Sequence, residues 1–364
     1  MTRPIGYFVH HQGRGHAERA AAIANALPPN RPVTLFCARD DIFPALAAHV
    51  EIRTIPSLFE PPADAAPALA NARTPPALHN APLGWGSITH AVATLARWFD
   101  EARPALFVTD VSAELAMLAR IASVPCVCVL QHGQRDDAGH MGAYESAVGI
   151  LAPYAPSLEQ PGRPGWMTAK THHAPGVGAG GQMPDRAQAR RDLGWPVEAD
   201  IVVVIGGGGG AGMPATPVTL GARGEPDALW FTLGEMVHDW HATPPGNLRH
   251  LGWVDDPARY IAAADRVVSS TGNTTVHMIA AAGRPWVVVP DWRYFDEQLD
   301  KARMLDRAGA AATLEHWPSS AAAWTAVWER AGSLDLAVQR ALIDPAATGD
   351  AAAWLDRLAG EIWA

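Results

Sequence analysis

Four segments of the 364-residue chain carry side chains that can move a proton, bind an anion or bind hydroxyl groups. In the first, HQGRGHAERA, Gly13 and Gly15 precede His16. Glycines between a strand and a helix let the backbone approach a ligand, and the N–H groups of the helix N-terminus attract anions. Histidine is the side chain whose ordinary pKa lies near neutral pH. The segment therefore offers a candidate general base beside an anion site, although a solvated turn histidine has the same pattern.

Asp110 is the second candidate, because it follows an apolar strand predicted over 106–109. Open α/β sheets bind ligands at the carboxyl ends of their strands. A carboxylate bound to an imidazole fixes its tautomer and stabilises the imidazolium formed when the ring takes a proton. Asp110 could instead cap the next helix. Ser112 offers an oxygen for the same cap, so both interpretations stay open.

Two later segments carry residues suited to an anion and to hydroxyl groups. In SSTGNTTVHMIAAAGRP, Gly272 and small hydroxyl residues precede a predicted helix, whose N-terminus can bind an anion. In DWRYFDEQLDKA, Glu297 and Gln298 could hydrogen-bond several hydroxyls, although a solvated helix start has the same composition. The glycine run 206–210 is not a P-loop, because no Gly-Lys-Ser/Thr follows it.

The histidines and cysteines predict no metal site. His238 and His241 could share a helical face and His172 precedes His173, but no third ligand stands out for either pair. The three cysteines lack zinc spacing and lie mostly in apolar runs, which indicates buried thiols in a reducing compartment.

Short apolar strands alternate with alanine-rich helices in both halves of the chain, which predicts an α/β fold with parallel sheets. The length favours two domains. Residues 161–183, rich in glycine and proline, indicate an interdomain linker, and 56–85 a long functional or mobile loop. The predicted strands cover 5–10, 33–37, 106–109, 126–130, 201–205, 266–269 and 286–289, and the predicted helices 17–27, 112–122, 186–193, 274–282, 296–308 and 350–363.

The composition is that of a folded, acidic protein, with 48% hydrophobic and 18% charged residues and a net charge of −9. It excludes a mainly disordered chain, and the uniform acidity argues against a nucleic-acid partner. No signal peptide and no run of about 20 apolar residues that could span a bilayer stands in the sequence. We therefore expect a cytoplasmic protein without a transmembrane segment.

The order of these motifs resembles the GT-B superfamily of nucleotide-sugar glycosyltransferases, and within it proteins with the family 28 type of C-terminal domain. The likeness is strongest from about residue 250 to 310, beginning HLGWVDDPARYIAAADRVVSSTGNTTVHM, and next strongest at 13–27. The resemblance implies two Rossmann-like parallel-sheet domains facing a cleft. It implies an acceptor-side domain over 1–172, a nucleotide-sugar-binding domain over 173–345, and a helix over 346–364 that packs on the N-terminal domain.

The resemblance also implies roles for single residues. His16 matches the general base of many inverting members, and Asp110 lies where plant small-molecule glycosyltransferases carry the aspartate of a His–Asp dyad. Glu297 and Gln298 match the pair that holds donor-sugar hydroxyls. Further donor-binding positions are Gly15, the turn residues Gly207 and Gly208, Trp253 and Val254 along the nucleobase, and Thr271, Gly272, Asn273, Thr274 and Thr275 in the diphosphate loop.

Two positions depart from the family's pattern. Met278 stands where a ribose-binding glutamate is expected, and a thioether cannot accept hydrogen bonds from two ribose hydroxyls as a carboxylate does. Lys301 replaces the asparagine of the Gln-x-x-Asn-Ala pattern. The first change bears on the affinity for the donor and on the identity of its base.

Three functions fit these residues. The first is an inverting, metal-independent glycosyltransferase with no bound cofactor, which takes a nucleotide-diphosphate sugar, a UDP-sugar favoured, as co-substrate. Its acceptor would be a small molecule, a glycan or a lipid-linked compound. The second is a nucleotide-sugar hydrolase, because GRGHAER also resembles the G-x-G-H-x-x-R pattern of the UDP-sugar hydrolase of pseudaminic acid synthesis. The third is a non-catalytic binding protein, prompted by Met278.

Overall fold

The structure is a computed structural model that describes residues 2–63, 65–178, 183–207, 212–237 and 243–364. The chain divides into two compact units. Unit 1 consists of Met1–Pro153, Pro161–Gly178 and Pro345–Ala364, and unit 2 of Tyr154–Gln160 and Ala179–Asp344. Three residues named in the sequence analysis, Gly208, His238 and His241, lie outside the described residues.

Within its described part, unit 1 has a seven-stranded parallel sheet of order β3-β2-β1-β4-β5-β6-β7. Parallel sheets covered on both faces need strands that are apolar throughout, and β2, with the sequence VTLFC, is buried from end to end. The strands are β1 Ile5–Phe8, β2 Val33–Cys37, β3 Val50–Thr54, β4 Leu106–Asp110, β5 Cys126–Val129, β6 Gly149–Ala152 and β7 Thr171–His173, and the helices α1 Arg14–Ala26, α2 Pro67–Ala70, α3 Gly86–Ala102, α4 Ala113–Ile121, α5 Ala138–Ser146 and α6 Gly165–Thr168.

Unit 2 has a six-stranded parallel sheet of order β12-β10-β8-β13-β14-β15 and a two-stranded sheet of β9 and β11 among its described residues. The strands are β8 Ile201–Ile205, β9 Met213–Pro214, β10 Leu229–Leu233, β11 Met236–Val237, β12 Leu248–Gly252, β13 Arg266–Ser269, β14 Trp286–Val288 and β15 Ala312–Thr313, and the helices α7 Arg186–Leu193, α8 Ala215–Gly224, α9 Pro257–Ala263, α10 Asn273–Ala282, α11 Glu297–Arg307, α12 Ala321–Gly332 and α13 Leu336–Arg340. Short 3₁₀ helices cover Pro156–Leu158 and Tyr294–Asp296. The α/β fold with two parallel-sheet domains is therefore confirmed.

The last helix, α14 Ala347–Ile362, belongs to unit 1, where it packs against α1. Its Trp354 ring stacks on His172 at 4.7 Å between ring centroids. A Cβ at Gly149 in β6 would lie 2.9 Å from the same tryptophan, so only glycine lets the helix approach the sheet this closely. The end of the helix is held by Trp363, whose Nε1–H donates to the Ala105 carbonyl at 3.0 Å.

The interpretation of 161–183 as a linker is wrong for most of its length. The segment contains α6 and the edge strand β7 of the first sheet, and the division of the chain falls after Gly178 instead. The strand is only three residues long and polar. It is held by β6 and by the Trp354 stack, and neither contact leaves a periodic pattern in the sequence.

Candidate active site

The candidate site of unit 1 lies where the order of strands reverses between β1 and β4. The chain passes from β1 to β2 on one side and from β4 to β5 on the other, while Phe8 pairs with Thr109 across the middle. A reversal of this kind opens a crevice at the carboxyl ends of the two strands. The predicted catalytic residues His16 and Asp110 both lie at this edge.

Helix α1 presents His16 to the crevice from its first turn. The helix begins at Arg14, earlier than predicted, with Gly13 at the N-cap in a conformation of φ +87° that other residues rarely adopt. Gly15 thus lies inside the helix rather than in a loop before it. Because residues three apart share a helix face, His16 and Arg19 point the same way.

Asp110 is the residue that these two side chains contact. It is the last residue of β4, not the first beyond it, and it is fully buried. His16 Nδ1 lies 3.0 Å from its Oδ1, and Arg19 Nη2 donates to its Oδ2 at 2.5 Å. The cap of α4 comes from Ser112, whose Oγ accepts from the Leu115 N–H at 3.1 Å. The carboxylate of Asp110 is therefore directed to His16 and Arg19.

The electrostatics of this cluster keep Asp110 ionised. Burial alone would raise the pKa of its carboxyl, but the charge of Arg19, and then that of His16, hold the pKa well below its usual range. Since an ionised carboxylate only accepts hydrogen bonds, the contact with Asp110 is a hydrogen bond in the tautomer of His16 that carries its proton on Nδ1. The His16 side chain keeps 23% of its surface exposed, so its ring remains accessible.

His10 is a part of this site that the sequence did not single out. Its ring centroid lies 5.5 Å from that of His16 and 4.3 Å from that of Phe59. Burial, followed by the nearby charges of His16 and His11, lowers the pKa of His10 to about 3. The ring is therefore neutral at physiological pH, and its Nδ1 accepts from the Gln12 N–H at 3.0 Å.

Unit 2 has a candidate site of its own, at the carboxyl ends of β8 and β13, where that sheet also reverses its strand order. Helix α10 begins at Asn273, and no side chain among the described residues caps its N-terminus at Gly272. A Cβ at Gly207 would lie 3.4 Å from Ser270 Oγ and 3.9 Å from Asp291 Oδ2. These are ordinary van der Waals distances, so Gly207 lies beside Ser270 and Asp291 without being tightly packed against them.

Gln298 holds this loop together from within the protein. Its Oε1 accepts from the backbone N–H groups of Thr271 at 3.3 Å and of Asp291 at 2.9 Å. The Thr271 hydroxyl in turn donates to the Gln298 carbonyl at 3.0 Å. The side-chain oxygen of Gln298 thus fixes the loop. The neighbouring Glu297, the other residue expected to bind sugar hydroxyls, is half-buried at the start of α11.

The remaining donor-side residues fall into two groups. Thr274 and Thr275 are half-buried in the first turn of α10, and Lys301 donates to Asn273 Oδ1 in the same turn. Met278 is buried further along the helix. Trp253 and Val254 follow the end of β12, with Val254 half-buried and the Trp253 side chain 63% exposed. An exposed indole of this kind is available to a flat ligand.

One group in the described part of the chain has the composition of a metal site: His79, Asp137 and His140, whose ligand atoms lie within 4.8 Å of one another. Asp137 is the N-cap of α5, and its carboxylate accepts from the His140 backbone N–H and from His140 Nδ1. The Arg135 guanidinium lies 3.3 Å from His140 Nε2, where its charge repels a cation. We therefore interpret these three residues as part of the N-terminal cap of α5 and not as a metal site.

Comparison with solved structures defines the class of fold as that of the GT-B glycosyltransferases. A UDP-glucosyltransferase from Polygonum tinctorium superposes with a TM-score of 0.65 at 12% identity, over 99% of both chains. MurG from Acinetobacter baumannii superposes with a TM-score of 0.58 at 15% identity, over 98% of this chain and 99% of that one. The fold that the resemblance implied is thus confirmed.

Among curated sequences, the chain is similar to the UDP-N-acetylglucosamine–N-acetylmuramyl-(pentapeptide) pyrophosphoryl-undecaprenol N-acetylglucosamine transferase of Serratia proteamaculans. The identity is 34% over 169 residues, which are 43% of this chain and 48% of the relative. The chain spans about half the length of the curated relatives it matches. This similarity confirms the resemblance to transferases of the family 28 type. No family model matches the sequence, and none of the helices in the described residues is long and apolar enough to cross a bilayer.

Proposed function

We propose that this chain is a glycosyltransferase that moves a sugar from a nucleotide-diphosphate donor, with a UDP-sugar favoured, to an acceptor hydroxyl. The observation that carries the proposal is the contact between His16 and Asp110, two residues 94 positions apart that meet where β1 and β4 end. The relatives named above support it, because their names describe transferases that use UDP-linked sugars.

In the proposed reaction His16 is the general base. Asp110 holds its Nδ1–H, so Nε2 takes the proton from the acceptor hydroxyl as the oxygen attacks the anomeric carbon. Attack comes from the face opposite the leaving diphosphate, which inverts the configuration at that carbon. Asp110 then stabilises the imidazolium, and a general base of this kind typically contributes about 10²–10⁴-fold to the rate.

The donor in this proposal is bound by unit 2. The backbone N–H groups of Gly272, Asn273, Thr274 and Thr275 and the dipole of α10 stabilise the charge that develops on the leaving diphosphate. This requires no metal ion and no bound cofactor. Glycine at 207 admits the phosphates. The further contacts are stacking of the nucleobase on Trp253 beside Val254, hydrogen bonds from sugar hydroxyls to Glu297, and indirect support from Gln298 through the loop it fixes.

The acceptor is proposed as a small molecule, a glycan or a lipid-linked compound that carries a hydroxyl. We place the reaction in the cytoplasm. The three cysteines support this placement, because a few buried thiols are typical of proteins from a reducing compartment.

Hydrolysis of a nucleotide sugar is the second candidate. It is favoured by one observation: the arginine of the G-x-G-H-x-x-R motif converges with the histidine on Asp110. In that reaction His16 deprotonates water instead of an acceptor hydroxyl. Release of free sugar from UDP-sugars without any acceptor would establish the hydrolase. Sugar transfer that depends on an added acceptor would exclude it as the main activity.

The proposal predicts that His16→Ala lowers turnover of the UDP-sugar about 10²–10⁴-fold. Nucleotide affinity, measured by calorimetry with UDP, should stay nearly unchanged, because the proposed diphosphate contacts are all in unit 2. The matched control is His90→Ala, which removes an exposed histidine from α3 of the same unit. Equal losses of turnover and affinity in His16→Ala would make His16 structural, and unchanged turnover would remove it from the reaction.

A further inference from the structure

Helix α11 holds the start of helix α10 through two of its side chains. Gln298 and Lys301 lie three positions apart, so they share one face of the helix, and they are only 6% and 2% exposed. Gln298 contacts Thr271, as described above, and Lys301 Nζ donates to Asn273 Oδ1. The segment is thus held at a backbone position by one side chain and at a side-chain amide by the other.

Lys301 is also one of the two residues that depart from the family's pattern. Lysine is seldom buried to this extent, because its amino group loses its contact with water. An apolar side chain of similar length would be buried at lower cost, but it would bring no donor to Asn273. The function of this lysine is therefore to be sought at Nζ, which contacts Asn273.

The contact determines which way the Asn273 amide points. An ammonium group only donates hydrogen bonds, so the amide atom that faces Lys301 is the oxygen. The Nδ2 group, which carries two donors, is then turned away from Nζ. Among the residues that the structure describes, none accepts a hydrogen bond from this group, and Asn273 itself is only half-buried. The two N–H donors are therefore available to a ligand.

Asn273 adds these donors at an end of the helix that already offers backbone donors. It is the first residue of α10, and the first N–H groups of a helix have no partner within the helix. The helix dipole favours an anion at the same end. Because phosphate oxygens accept several hydrogen bonds at once, backbone and side-chain donors can bind the same group.

We propose that Lys301 is a positioning residue of the donor site, which orients the Asn273 amide so that its Nδ2 group donates to the diphosphate of the nucleotide sugar. The inference rests on the proposed function, because it adds a contact to the same diphosphate. A donor that is already oriented stabilises the charge that develops on the leaving group without having to turn during the reaction.

The test measures the affinity of the intact protein for UDP and for inorganic pyrophosphate by calorimetry. Asn273→Ala should weaken both about 10- to 100-fold, the loss expected for a hydrogen bond to a charged group. Lys301→Met should weaken both about 2- to 10-fold, because binding must then immobilise an amide that is free to turn. Unchanged affinities in either variant overturn the inference.

Arg303→Met is the matched control, since it removes an exposed cation from the same helix. It should leave both affinities unchanged. A loss as large as in Lys301→Met would mean that the diphosphate responds to the net charge of α11, which overturns the inference.

A double-mutant cycle tests whether Lys301 acts through Asn273. In the Asn273→Ala background, Lys301→Met should cause no further loss beyond about twofold, because the amide that it orients is absent. A further loss as large as in the unaltered protein would mean that Lys301 acts on the diphosphate directly or through packing. That result overturns the inference.

Asn273→Asp separates the Nδ2 donors from the contact with Lys301. The carboxylate still accepts from Nζ but has no N–H group, so UDP should bind at least as weakly as to Asn273→Ala. UDP binding as tight as in the unaltered protein would overturn the inference. Both Asn273 variants change a half-buried residue, so this comparison decides the matter even if Lys301→Met fails to fold.

The two probes distinguish this inference from the proposed function. If the unaltered protein binds pyrophosphate but not UDP, and the variants weaken pyrophosphate binding as stated, the nucleotide donor is excluded while the role of Lys301 stands. UDP binding that none of these variants changes overturns the inference and leaves the proposed function standing. Binding of neither probe overturns both.

Discussion

The buried carboxylate of Asp110 determines how the residues around it must ionise. A buried ion costs several kcal/mol unless a partner and hydrogen bonds compensate it, and Arg19 supplies both at 2.5 Å. The neighbouring His10 avoids the cost of a buried charge by staying neutral, because its pKa is lowered to about 3. Asp110 is thus charged and paired with Arg19, whereas His10 is neutral.

The neutral state of His10 predicts a pH-dependent stability. Between about pH 6.5 and pH 3 the unfolded chain binds a proton at His10 that the folded chain does not, so stability falls as pH falls through this range. His10 contributes at most about 1.4 kcal/mol per pH unit to that slope. His10→Asn keeps an acceptor for the Gln12 N–H and should flatten the slope, as measured by urea unfolding at pH 7, 6, 5 and 4.

His90→Ala provides the control, since an exposed histidine should not change the slope. A slope in His10→Asn as steep as in the unaltered protein would mean that His10 is protonated in the folded state.

The sequence predicts the His16–Asp110 contact but not what surrounds it. The contact follows from topology, because carboxyl ends of adjacent parallel strands lie at one edge of a sheet. Arg19 lies three positions beyond His16 and on the same face of the helix. Its contact with Asp110 arises because both residues are buried, and burial of an arginine cannot be predicted from its residue type. Gln298 illustrates the same limit, because its identity fits a sugar-binding role while its oxygen is engaged by Thr271 and Asp291.

Helix α14 is the element that completes unit 1. Leu355 is fully buried in the core that includes β1, β2, β4 and α1, whereas Ile362 at the end of the same helix is 37% exposed. The apolar spacing of this helix is readable from the sequence. Its partner helix α1 is not, because that contact joins opposite ends of the chain.

We predict that Leu355→Ala destabilises the protein by about 2–5 kcal/mol, because it opens a cavity in a closely packed core. Ile362→Ala, an apolar truncation on the same helix, should cost far less. Both are measured by denaturant unfolding, followed by a probe of unit 1. Similar small losses in the two variants would mean that α14 is dispensable for the core.

Because the proposed donor contacts lie mostly in unit 2, bound nucleotide should protect backbone amides mainly in unit 2. Hydrogen exchange with saturating UDP should slow the amides in the first turn of α10 and those just after β12, because the proposed donor contacts lie there. The amides of α1 beyond its first turn, which contains Gly15, should exchange as before, since the base is proposed to meet only the acceptor. Protection confined to α1 would place the nucleotide in unit 1 and contradict the proposal.

Unit 1 is assembled from segments far apart in the sequence, because Pro345–Ala364 packs with Met1–Pro153 and Pro161–Gly178. A ribosome therefore releases the helix that completes the first sheet domain only after the second has emerged. While Ala179–Asp344 is translated, the surface of unit 1 that α14 covers stays exposed to water. The core beneath α1, the helix that carries the proposed base, therefore lacks the side chains of α14 until 345–364 has been translated.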